Sequence, residues 1–325
     1  MLIQFFKKNS PSSFIFLPLF ALLFWIIAFY SKQNTFLISG APFYDIIVNK
    51  LQSFYFIAVL IAFLLVIAEA FLLNYIVNEN GILAKPSMLP ALFYIIFMSN
   101  DSTLLILHPI IFSNFFTLLA IHKLISSYQK DIAFSNAFDA GVLLSIASFF
   151  YFPNILLYPL LGIGLVYFRT FNWREWVISF FGVLLPFTFV FTYAYWNDSL
   201  ANWVDLNIFH PIMVDQSKLS LSKSFYFMFS VILLIILFSF GKLFTGFLDA
   251  SQKNKKGILF LIWFTVLALI SLLIPTAPSI CKYASLSIPV SVFCANYFLK
   301  IKKKWWGDLL FYLLLISIFI NVYSG

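Results

Sequence analysis

Long apolar stretches recur along the whole chain and leave it almost no water-soluble surface to build. They cover residues 13–30, 53–77, 86–98, 109–125, 141–152, 155–168, 176–195, 225–243, 258–274, 283–299 and 309–323. A helix of about 20 predominantly apolar residues crosses a hydrocarbon core of about 30 Å, so the pattern predicts about eleven spans. Only 10% of the residues are charged and 62% are hydrophobic, whereas a soluble domain carries about 25% charged residues. Lipid must therefore be the solvent. The expected fold is all-α, a polytopic transmembrane helical bundle. No linker or internal repeat divides residues 1–325, so one membrane domain is the simplest organisation.

The first stretch follows Lys7 and Lys8. It is too long for a signal-peptide core and no A-x-A site follows it, so it reads as a retained signal anchor. Stretches 141–152 and 155–168 are short for a crossing and are punctuated by Pro153-Asn154. They predict a tight helical hairpin or a re-entrant element.

The basic residues test this topology. With the N-terminus inside, the cytoplasmic set is Lys7, Lys8, Lys85, Lys123, Lys130, Arg169, Arg174, Lys242, Lys253, Lys255, Lys256, Lys300, Lys302, Lys303 and Lys304. The external set is Lys32, Lys50, Lys218, Lys223 and Lys282, which completes the 20 basic residues. That bias follows the positive-inside rule across every span. It gives an odd number of crossings with the C-terminus outside. It also accounts for the net charge of +8. With two arginines and no basic stripe interleaved with aromatics, nucleic acid is not an expected partner. The 44 phenylalanines fit an AT-rich coding bias better than aromatic recognition of a polyprenyl tail or a sugar. Cys281 and Cys294 are thirteen residues apart, about 20 Å along a helix, too far for a disulfide.

Candidate chemistry lies first on the external face, where the charge balance is inverted. Its loops hold Asp45, Asp101, Asp198, Asp205 and Asp215, with His108-Pro109 and His210-Pro211. The largest loop, 196–222, carries three of the aspartates and His210. Carboxylates and an imidazole over a membrane cavity could serve as a general base or hold a divalent metal. Oxygen donors favour Mg²⁺ or Mn²⁺ over Zn²⁺. The plainer reading is that acidic residues replace excluded positive charge, with Asp198 and Asp205 capping short loop helices.

Glu69 stands inside the second stretch, about 24 Å along its axis. An intramembrane carboxylate is a functional candidate by default. It could carry a proton or pair with Lys123; the plainer reading is a hydrogen bond, or a snorkel toward Asn74 and Asn78. A second polar group is cytoplasmic. Asn136 or Asp139 reads as an N-cap of the following span. The 169–176 loop, with Arg169 and Arg174 among aromatic interface anchors, could hold a phosphate or the acidic face of a partner protein. Three scattered histidines are too few for a four-histidine iron site. No GxSxG, HExxH or Walker-type motif occurs.

The stretch Ser135-Asn136-Ala137-Phe138-Asp139-Ala140-Gly141 through Phe149-Phe150-Tyr151-Phe152-Pro153, followed by 169–176, resembles an uncharacterised family of polytopic bacterial inner-membrane proteins. Phe5-Phe6-Lys7-Lys8 and the stretch from Asn80-Gly81-Ile82-Leu83 to Leu89-Pro90 fit as well, so the resemblance covers most of the chain. It implies a multi-pass protein of the bacterial inner membrane and no activity. The chain is also similar, more loosely, to the GT-C class of membrane glycosyltransferases. These are N-in enzymes with an acidic residue in the first external loop, and they use polyprenyl-phosphate-linked sugars. That likeness would make Asp45 the base or a metal ligand beside Asp198, with Asp205 and His210 assisting. The small-residue span from Ala140-Gly141 to Ala147-Ser148 would match their core. This chain has a shorter first external loop, lacks paired acids there and has no external arginine.

Three functions follow as expectations. The first is a GT-C-like glycosyltransferase or another lipid-carrier enzyme with an external acidic site. The second is a non-catalytic subunit or assembly factor of a cell-envelope complex, bound to another membrane protein through 169–176. The third is a transporter or flippase with a central site near Glu69.

Overall fold

The computed structural model describes residues 2–30, 42–51, 54–130, 132–198, 222–245, 251–274, 280–301 and 303–324. Those residues contain helices and turns and no strand. In chain order the helices are α1 (Leu2–Phe6), α2 (Pro11–Tyr30), α3 (Pro42–Leu51), α4 (Tyr55–Glu79), α5 (Leu89–Met98), α6 (Pro109–Ile125) and α7 (Phe134–Phe150). Then come α8 (Pro159–Phe168), α9 (Trp173–Trp196), α10 (Lys223–Thr245), α11 (Gln252–Ser271), α12 (Ser287–Lys300) and α13 (Lys304–Ser324). Short 3-10 segments at Ser102–Leu104, Phe152–Leu157 and Ile280–Leu286 lie between them.

Six helices, α2, α4, α9, α10, α11 and α13, are long and apolar enough to cross a membrane. They make the chain a membrane protein. Their outer faces expose large apolar side chains, among them Phe180, Phe181 and Phe189 on α9 and Phe227, Leu233 and Leu237 on α10. Water would not tolerate that surface; hydrocarbon does.

The interior is built from shorter helices. All ten residues of α5 are buried, and α12 is buried from Ser287 to Phe298. Ten residues span only about 15 Å, half a bilayer core. Such a helix is viable at membrane depth only because other helices enclose it on every side. Phe93 of α5 joins the two short helices by stacking on Phe298 of α12, with ring centroids 4.9 Å apart.

Prolines start several elements. Pro109 and Pro159 begin α6 and α8, and Pro153 opens the 3-10 segment after α7. A proline at a first turn forfeits no hydrogen bond. The break expected at Pro153-Asn154 is present, but α7 is longer than the apolar pattern implies. The polar residues 135–140 belong to its first turns. Ala133 is its N-cap and makes no side-chain cap bond, so neither Asn136 nor Asp139 caps this helix.

Helices α7 and α9 pack closely at two glycines. A Cβ on Gly141 would strike the Ser179 carbonyl oxygen, and one on Gly182 the Phe138 carbonyl oxygen. Small residues at a crossing let two backbones approach, as membrane helix pairs require.

Hydrogen bonds group the helix ends. At the end carrying α1, the proximal end, the Met88 amide donates to the Phe6 carbonyl at 3.0 Å. At the opposite, distal end, Trp25 Nε1 donates to Ser99 Oγ at 3.0 Å. There Tyr55 also donates to the Ala28 carbonyl at 3.0 Å, and Asn321 Nδ2 to the Asn100 carbonyl at 2.9 Å.

Candidate functional site

A chain of polar side chains runs through the buried interior and begins at Glu69, which has no exposed surface. Small residues of α4, among them Ala62, Val66 and Ala70, share its buried face. Tyr94 of α5 donates to Glu69 Oε2 at 2.8 Å. With its proton committed, the Tyr94 oxygen accepts from Asn114 Nδ2 of α6 at 3.4 Å. The other proton of that amide serves the Ala284 carbonyl at 3.1 Å. Ser287 Oγ at the start of α12 donates to the same carbonyl at 2.6 Å. Each member comes from a different element, so the chain knits α4, α5, α6 and α12 together.

Two acceptors in this chain are left over. Glu69 Oε1 and Asn114 Oδ1 are buried and make no hydrogen bond. The expected partner of Glu69 goes elsewhere: Lys123 Nζ lies 2.8 Å from Asp139 Oδ2. Nor does Glu69 snorkel, since Asn74 Nδ2 donates to Met88 Sδ at 2.9 Å and Asn78 holds the Ser87 backbone. Among the described residues, no cationic side chain forms an ion pair with Glu69.

A cavity lies toward each end of the bundle, and the distal one adjoins the polar chain. The distal one, about 110 Å³, is apolar. Its walls are Phe97, Phe225, Met228, Phe229 and Ile232, and Ala284 and Ser287 place the end of the polar chain in its lining. The proximal one is a polar cleft of about 550 Å³ lined by Tyr75, Glu79, His122, Lys123, Lys130 and Lys253, among others. Glu79 is ten residues from Glu69 on α4, about 15 Å.

The distal candidates divide. Asp101 caps a turn: its Oδ1 accepts from the Thr103 amide at 3.0 Å and the Thr103 hydroxyl at 2.8 Å. Its Oδ2 accepts from Asn321 at 3.0 Å. His108 is fully buried, and neither ring nitrogen has a hydrogen-bond partner. Asp45 lies in the first turn of α3, which is anchored by Tyr44 donating to the Leu107 carbonyl at 2.8 Å. Lys282 is partly buried, and desolvation lowers its pKa from the usual lysine value. Asp198 follows α9 with a left-handed backbone, φ 47°. Asp205 and His210 lie outside the described residues, as does most of the 196–222 loop. Among the described residues no three of His, Cys, Asp and Glu gather as a metal site.

At the proximal end, Arg169 is bound internally. It forms a buried ion pair with Glu175, Nη2 to Oε1 at 2.6 Å and Nε to Oε2 at 3.0 Å. It also donates to the Lys130 carbonyl. The guanidinium expected to meet a phosphate or a partner thus ties the α6–α7 connection to the start of α9. Arg174 is the freer of the two, lying 6.0 Å from the Trp173 ring centroid.

Sequence reasoning missed Tyr94 and Asn114. The signal was an amide and a phenol within otherwise apolar stretches, a costly placement in lipid unless both are satisfied internally.

The described part defines a class: an all-helical membrane protein whose lipid-facing shell encloses short helices around a buried carboxyl group. The chain belongs to the family of unknown function DUF6427, whose family model matches residues 36–324, in line with the resemblance to an uncharacterised membrane family. No curated protein and no solved structure matches it. The likeness to GT-C glycosyltransferases gains no support from these comparisons.

Proposed function

We propose that this protein is a transporter of the bacterial inner membrane in which Glu69 carries a proton or binds a small cation. The basic-residue distribution supports eleven crossings, with the proximal end in the cytoplasm and the C-terminus outside. Six helices meet the length and apolarity of a crossing; α5, α6, α7, the 152–168 segment and α12 would complete the eleven as shorter passages inside the bundle.

The observation that carries the reading is the unpaired state of Glu69. A bare carboxylate in a low-dielectric interior is costly. With no cationic side chain paired to it, this group must be neutralised by a proton or by an ion that enters. Tyr94 leaves one carboxyl oxygen without a partner, a position open to either. The cleft on one side and the cavity on the other supply the beginnings of access from both ends. Short helices meeting at a polar site deep in the membrane are the usual setting for such chemistry.

The lipid-carrier enzyme expected from the external acids would centre on Asp45, Asp198, Asp205 and His210, with Mg²⁺ or Mn²⁺. Two of those four lie outside the described residues, and the described ones form no cluster comparable with the buried chain.

The test is proton flux into proteoliposomes under an imposed membrane potential, read by an enclosed pH-sensitive dye. The wild-type chain is expected to exceed protein-free vesicles, and Glu69→Gln to fall to their level. The same vesicles are read for Na⁺ and K⁺ uptake; Glu69→Gln flux equal to wild type, or wild-type flux of protons and of both cations no greater than in empty vesicles, would remove the proposal.

A further inference from the structure

We infer that the proximal cleft is a binding site for a phosphate-bearing anion. The inference is independent of Glu69 and of transport. The cleft holds about 550 Å³ between α4, α6, the α6–α7 connection and the start of α11. Its lining brings Lys123, Lys130 and Lys253 together from different elements, against one carboxylate, Glu79. Asp139 balances Lys123. Lys130 has only a weak contact, 3.4 Å to Asn136 Oδ1. With Glu79 set against Lys130 and Lys253, the cleft still keeps a net positive charge.

Among the neutral residues of the wall, Ser126 and Asn136 already donate to the Lys123 carbonyl, so recognition of the anion falls to the lysines.

A second observation comes from α11. This helix begins at Gln252 with Ser251 as its N-cap, and its first turn contains no acidic residue. Lys253 stands in that turn instead, with Lys256 three residues further on. A helix N-terminus carries partial positive charge and prefers acidic neighbours. A cation placed there is disfavoured by the dipole, and an anion beside it offsets that repulsion. Lys256 turns toward Tyr128, 5.1 Å from its ring centroid, and Lys253 lines the cleft. A phosphate would accept from several donors at once and offset the repulsion. A lipid headgroup and a soluble phosphate compound offer the same chemistry.

The full chain, purified in neutral detergent, is titrated with inorganic phosphate at constant ionic strength by calorimetry. In parallel, its thermal unfolding is read in vesicles of phosphatidylcholine with and without phosphatidylglycerol. Saturable phosphate binding identifies a soluble ligand; stabilisation by phosphatidylglycerol alone identifies a headgroup; either supports the site. Lys130→Ala/Lys253→Ala is expected to weaken the response at least about tenfold, and Lys130→Arg/Lys253→Arg to keep it. Lys303→Ala/Lys304→Ala, which removes the same charge from the same end outside the cleft, is expected to leave it unchanged. The site is refuted if neither probe gives a response in the wild type, or if the Lys303/Lys304 variant loses as much as the cleft variant.

Discussion

Glu69 and Glu175 are two carboxyl groups withdrawn from solvent by the same fold and treated in opposite ways. Glu175 is met by Arg169 in a bidentate pair whose side chains are 1% and 7% exposed. Glu69 is met by a phenol, on one oxygen only. The first arrangement is closed: charge cancels charge, and the donors and acceptors face each other. The second is open, because nothing in contact with Glu69 cancels a negative charge. A group compensated where it stands serves as structure; under the proposed function, the one left uncompensated exchanges a proton or ion with its surroundings.

Making the same substitution at both sites tests that contrast most severely. Glu175→Gln keeps the Arg169 guanidinium buried but removes the carboxylate that faces it, a loss of about 3–5 kcal/mol. Thermal unfolding of the purified protein should show the largest drop of any variant considered. Replacing both partners by leucine should recover much of it, since the cost lies in a buried charge that has lost its facing carboxylate. If Glu175→Gln unfolds with the wild type, the pair is not the closed structural device its geometry indicates.

Tyr94→Phe comes next. It removes the one hydroxyl that donates to Glu69 and the acceptor for Asn114, with a loss of about 1–3 kcal/mol. The ring remains, so the packing of α5 against α12 should survive. A variant as stable as the wild type would mean that the hydroxyl does nothing to hold the carboxyl group. Glu69→Gln is milder, with a change of about 1 kcal/mol or less, because the amide can still accept from Tyr94 and no charge is orphaned. A fall as large as that of Glu175→Gln would show that Glu69 is ionised against a partner, and the contrast would collapse.

How far each region was legible in the sequence follows from what the pattern encodes. Apolar length reports lipid exposure, so the outer helices α2, α4, α9 and α10 are readable almost to their ends, whereas α11 and α13 begin earlier than their apolar runs, at Gln252 and Lys304. It reports nothing about enclosure. The stretch 86–98 looked like a crossing, and its helix is ten buried residues, because neighbouring helices, not lipid, surround it. Polarity misleads at α7, where residues 135–140 read as a loop with a cap. Asn136 donates instead to the Lys123 carbonyl and to Ser126, and Asp139 reaches Lys123 across the helix pair. Those tertiary bonds let a polar segment stay helical. Glu69 was legible as a lone charge in an apolar run, but Tyr94 and Asn114 were not. A single phenol or amide in a span says only that it needs a partner. Which partner depends on how four helices meet, and no local spacing records that.

The smallest effect is expected at the pair that looks most like Arg169–Glu175 in a list of distances. Lys123 and Asp139 lie 2.8 Å apart, but their side chains are 40% and 34% exposed. Water and salt screen them, and ordering two flexible side chains offsets much of the attraction. Lys123→Ala should cost only about 0.5 kcal/mol, and raising the salt concentration should shrink the difference further. A loss rivalling that of Glu175→Gln would mean that the proximal end is as dry as the interior. It would also count against a water-filled cleft there. A small, salt-sensitive loss would set the boundary between the two regimes at the last turn of α6, where the protein passes from charges that must be neutralised internally to charges that solvent can serve.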